Sequence, residues 1–119
     1  MPKRNRSSNI VFGQRLRQAR QRRRLAQDEL GVLAGLEESS SSARMSRYES
    51  GIHEPSFQFV DALARVLDVS PAYFYCPDDR LANIIVLYSG LSEAKRQALH
   101  QAAADLAVSG PTTTSDAPT

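Results

Sequence analysis

Apolar side chains in this sequence fall three and four positions apart: Phe12, Leu16 and Ala19, then Met45 and Tyr48, then Phe57, Val60, Ala64 and Leu67. The same spacing returns in Leu81, Ile84, Ile85 and Tyr88, and again in Leu91, Ala98, Leu99, Ala102 and Leu106. Such spacing lines one face of an α-helix, and no segment reads as a strand. Punctuation divides the pattern. Gly35 and Gly51 are cheap left-handed stops. Asn9, Ser41 or Ser42, and Ser92 suit helix N-caps. Pro55-Ser56 opens a helix, and Pro71 sits where a first turn tolerates proline. The expected helices cover 10–23, 27–34, 43–49, a stretch from 56, 71–75, 81–88 and 93–107. Leu25, Leu30, Leu33, Leu36, Met45, Tyr48 and Phe74 are read as core.

The 119 residues suffice for one small domain with tails. No apolar run is long enough to span a membrane, and the basic start MPKRNRSSN is followed by no apolar signal core. A cytoplasmic protein is expected. A single cysteine, Cys76, excludes a disulfide framework, and His53 and His100 stand in no metal-ligand spacing. No cofactor or metal is expected. Charge is unevenly placed. Residues 1–51 hold 11 Lys/Arg and 5 Asp/Glu (11 − 5 = +6), and residues 52–119 hold 4 and 8 (4 − 8 = −4). A basic half joined to an acidic half suggests a polyanion-facing surface and a separate body. Residues 1–8, with Lys3, Arg4 and Arg6, read as a basic disordered arm. The Pro-, Thr- and Ser-rich tail from 109 also reads as disordered.

The order of motifs is more specific than the pattern. Two short helices joined at a glycine form a helix-turn-helix. QDELGVLAG resembles the second helix and turn of the lambda-repressor-like, or XRE-type, DNA-binding domain. SARMSRYESGIHEPS is similar to its third helix and following loop, and ALARVLDVSPAYFY to its fourth helix and short fifth. The resemblance covers roughly residues 9–75 and implies an all-α, five-helix lambda-repressor-like DNA-binding bundle over 9–79, followed by a C-terminal helical pair. Three departures stand out. Ala26 replaces the usual Ser or Thr cap, Gly31 replaces a small side chain, and Glu37–Ser40, the EESS, have no counterpart. Four residues are close to one helical turn and would nearly keep its phase. They are nonetheless read as loop, because Glu37 and Glu38 would be unwelcome beside phosphates.

The resemblance also implies roles. Residues 41–49 would lie in the major groove, with Ser41, Ser42, Ala43, Arg44 and Arg47 toward base edges. The chemistry agrees: arginine pairs in bidentate fashion with guanine, serine with several bases, and alanine contacts a thymine methyl. Arg47 is the first choice for a base contact, and Arg44 is divided between base and phosphate. Gln27, Ser46, His53, Arg15 and Arg24 are the expected phosphate contacts. Such proteins bind double-stranded DNA as dimers on paired half-sites. Residues 80–108 form the expected homodimerisation segment, through Leu81, Ile84, Ile85, Tyr88, Leu91, Leu99 and Leu106. The function expected is a sequence-specific transcriptional regulator, in its simplest form a repressor. The competing expectation is an antitoxin-like protein whose C-terminal helices bind a protein partner. An enzyme is not expected, since no nucleophile is paired with a base and no phosphate loop is present.

Overall fold

The computed structural model describes the backbone of residues 2–109 and the side chains of residues 8–109. The helices are α1 (Pro2–Arg22), α2 (Gln27–Leu33), α3 (Glu38–Glu49), α4 (Phe57–Leu67), a short 3-10 helix (Pro71–Tyr75), α5 (Asp79–Ser89) and α6 (Glu93–Ser109). The described residues contain no strand, so the fold is all-α as expected. Two compact units result, the first ending at Ser89 and the second beginning at Gly90.

In the first unit the apolar stripes converge. Phe12, Leu16 and Ala19 of α1 meet Leu30 of α2, Met45 and Tyr48 of α3, and Val60, Leu63 and Leu67 of α4. Tyr73 and Phe74 close the core from the 3-10 helix, with Phe74 5.1 Å from the Phe12 ring centroid. Local signals set the ends. The Ser56 and Ser70 hydroxyls accept from the N–H groups of Phe59 and Ala72, at 3.2 Å each. Ala26 gives α2 no such cap, and the Glu29 carboxylate compensates by accepting from the Ala26 N–H at 2.8 Å. Gly35 and Gly51 have φ of +112° and +82°, a region few side chains tolerate. Gly31 permits the closest approach of α2 to α3: a Cβ there would overlap the Ser41 hydroxyl and reach within 2.8 Å of Met45 Cγ.

Four expectations need correction. The first helix starts at Pro2, so residues 2–8, read as an arm, are helical. The side chains of Lys3, Arg4 and Arg6, and the tail from 110, lie outside the described residues. The EESS is not a loop. Glu37 is the extended N-cap residue of α3, and Glu38, Ser39 and Ser40 form its first turn. An acid in a first turn is favoured by the helix dipole, which outweighs the argument from phosphates. Leu33 is 61% exposed rather than core, because Leu30 and Gly31 set the inward face of this short helix. Lastly, α5 belongs with the bundle: Ala82 is buried in its core, and Ile85 and Val86 pack against it. The boundary expected at 79–80 therefore falls ten residues later.

The second unit contains α6, entered through the Ser92 hydroxyl, which accepts from the Lys95 N–H at 3.2 Å. None of its residues is buried. No described helix is long and apolar enough to cross a membrane.

Candidate nucleic-acid interface

The phase of α3 is fixed by Ser41, Met45, Tyr48 and Glu49, all buried. The opposite face therefore presents Ser39, Ser42, Ala43, Ser46 and Arg47, all exposed. Four of the positions expected at a DNA surface, Ser42, Ala43, Ser46 and Arg47, share this face. Ser39 joins them because α3 begins at Glu38, one turn earlier than expected, and Ser39 lies one turn before Ala43. Arg44 is exposed but lies along its own helix, its Nη2 donating to the Tyr48 hydroxyl at 3.0 Å. Arg47 has no acidic partner among the described residues. Glu38 lines a groove shared with Leu25, Asp28, Glu29, Val32 and Leu33, on the side of α3 turned toward α2.

Ser41 does not fit the base-contact role. Its side chain is fully buried, and its hydroxyl donates to the Asp28 carbonyl at 2.8 Å, pinning α3 to α2. Ser41→Ala is expected to lower unfolding stability by about 1 kcal/mol while leaving the preferred DNA sequence unchanged. Urea denaturation and a binding-site selection on the same preparation check both halves.

Arg15 also departs from its expected role. It is 6% exposed, and its Nε donates to the Cys76 carbonyl at 2.8 Å while Nη2 meets Asp79 Oδ1 at 2.9 Å. It ties α1 to the start of α5, which is not the DNA-phosphate role expected of it. Gln27 is half-buried, its amide donating to Glu49 Oε1 at 3.0 Å. Arg24 and His53 are exposed. The loop carrying His53 is folded onto the end of α3 by bonds from the Ile52 and His53 N–H groups to the Arg47 carbonyl, at 2.9 and 3.3 Å.

The centre that holds the face in place is Glu49. Its side chain is inaccessible to solvent. Arg20 donates to both carboxylate oxygens, at 2.6 and 3.0 Å, Arg17 approaches at 3.4 Å, and Gln27 completes the set. Burial pushes this carboxyl toward its neutral form, but the bonds from Arg20 and Gln27 and the Arg20 charge outweigh that, leaving it below the usual carboxylate range. Thus α1, the start of α2 and the end of α3 share one polar knot. The sequence marked Glu49 as a partner for some basic residue; that three helices converge on it is visible only in three dimensions.

Of the expected dimerisation residues, Leu81, Ile84 and Tyr88 are 49%, 43% and 42% exposed, and Leu106 is exposed on α6. Leu87, not anticipated, is exposed as well. Ile85, Leu91 and Leu99 are half-buried, and Ile85 is turned to the core of its own chain.

Residues 11–73 match the family model described as a helix-turn-helix domain. Among solved structures, the crystal structure of the transcriptional regulator BswR is similar, with 41% sequence identity and a TM-score of 0.76. The match covers 82% of this chain and 98% of that one. A search of curated proteins found no match.

Proposed function

This chain belongs to the lambda-repressor-like helix-turn-helix family, and we propose on that premise that it is a sequence-specific double-stranded DNA-binding regulator of transcription. The observation that carries the proposal is the exposed face of α3, with three serines, Ala43 and Arg47, anchored from behind by the core and by Glu49. Placed in a major groove, this face offers hydroxyls to base edges and phosphates, a methyl to thymine, and one long guanidinium to guanine. Gln27, Arg24 and His53 supply backbone contacts on either side, and the basic surface draws the chain to DNA in a salt-dependent way. Repression follows if the site overlaps a promoter, by competition with RNA polymerase.

The exposed apolar residues of α5 favour a homodimer, which would set two α3 helices on half-sites about 34–36 Å apart. The same residues also suit the second reading, in which a different protein covers α5. Sedimentation of the purified chain separates the two. A dimer that dissociates on Ile84→Glu supports self-association, and a stable monomer transfers that surface to a partner.

Selection from a randomised duplex pool at two salt concentrations tests the reading itself. A two-fold symmetric site is expected. Weak binding without sequence preference, falling steeply with salt, would reduce the interface to a basic surface.

A further inference from the structure

A cleft of about 260 Å³ opens between α1, the 3-10 helix and α5, within the first unit and lined by no residue of α3. Its floor holds a buried cation. The Arg15 side chain is 8% exposed, yet only three hydrogen bonds use it, to the Cys76 carbonyl, Gln18 Oε1 and Asp79 Oδ1. A guanidinium carries five N–H donors, so two have no acceptor among the described residues. Gln18 Oε1 is already engaged by Arg15 and by the Tyr73 hydroxyl at 3.3 Å, which leaves the Gln18 amide hydrogens to donate. At the rim, Arg22 lies 5.4 Å from the Tyr73 ring centroid and has no carboxylate partner among the described residues. Asn83 adds a second amide.

The cleft is thus rich in donors and poor in acceptors. Arg15 and Arg22 set two positive charges against the one carboxylate of Asp79, leaving a net charge of one. Most of the accessible lining is polar: Ala82 and Tyr73 are buried, the guanidinium groups of Arg15 and Arg22 both lie over the Tyr73 ring, at 5.8 and 5.4 Å, and Val86 is the half-buried apolar side chain at the edge. We propose that this cleft binds a small organic monocarboxylate whose carboxylate bridges Arg15 and Arg22, with Val86 as the apolar contact for the rest of the molecule. Asp79 is 94% exposed and can swing clear without being buried.

Benzoate is the probe, and its neutral isostere benzamide the control. Chemical-shift titration of the full chain is run to about 10 mM, where a site with a Kd of about 1 mM is nine-tenths filled. Saturable benzoate binding is expected, with shifts centred on Arg22, Tyr73 and Asn83 and none from benzamide. Arg22→Gln, an exposed change that leaves the core intact, is expected to weaken binding at least tenfold. Asp79→Asn, which removes the competing carboxylate, is expected to strengthen it. Absence of saturation, equal binding of benzamide, or indifference to Arg22→Gln would each overturn the proposal. None of these readouts depends on DNA, so they stand apart from the test of DNA reading.

Discussion

Glu49→Ala is expected to cost about 3–5 kcal/mol of folding stability, the usual penalty for removing one partner of a buried ion pair. Small domains hold only about 5–15 kcal/mol in total, so the variant should be partly unfolded in mild urea. The reason is what remains behind. Arg20, 13% exposed in its side chain, would keep its charge with only the Leu25 carbonyl as acceptor. Gln27 would lose the bond that orients its amide. The acid dependence has a definite sign. The folded carboxyl lies below its usual range, so Glu49 contributes stability above that range and loses it as pH falls through the depressed value. Wild-type stability should therefore drop on acidification more steeply than that of Glu49→Gln, which has no carboxyl to protonate. Equal slopes in urea titrations across pH would remove Glu49 from the account.

The second large effect is expected of Gly13→Ala, although alanine is the better helix former by about 1 kcal/mol. Gly13 lies against the end of α3. A Cβ there would overlap the Glu49 carbonyl group and stand 2.9 Å from the Tyr48 carbonyl oxygen. Backbone cannot swing aside as a side chain can, so α1 and α3 must separate. Overpacking of this kind costs about 1–3 kcal/mol, occasionally more, and here the same shift stretches the Arg20–Glu49 pair. The variant should melt well below wild type and bind DNA more weakly even where folded. A neutral or stabilising result would show that α3 is not held at this contact.

Both variants probe a joint that periodicity could not show. Spacing marks α1, α3, α4, α5 and α6, because apolar side chains at three and four positions must share a face, while α2 and the 3-10 helix are legible from Gly35, Pro71 and the resemblance. It missed where polar groups are buried. Ser41 and Arg15 look like surface residues by type, and each is inside because a backbone carbonyl, of Asp28 or Cys76, waits for it. Leu33 failed in the opposite way: its type is core, but the phase of a seven-residue helix turns it outward. The EESS departs from the expected loop because the first turn of a helix favours an acid, and Glu38 lines a groove with Leu25 and Val32. Ser42, Ala43, Ser46 and Arg47 share the exposed face of α3, and their register comes from the resemblance, since composition does not distinguish them.

The central claim is that α3 reads bases, and Arg47→Ala tests it most directly. Affinity should be measured for the selected site and for single-base variants of it, at fixed salt. The account predicts a loss of about 1–3 kcal/mol per half-site, with the preference flattened at one base pair in each half and retained elsewhere. Uniform weakening across all sequences, with every base preference intact, would show Arg47 acting only on phosphates and would contradict the account.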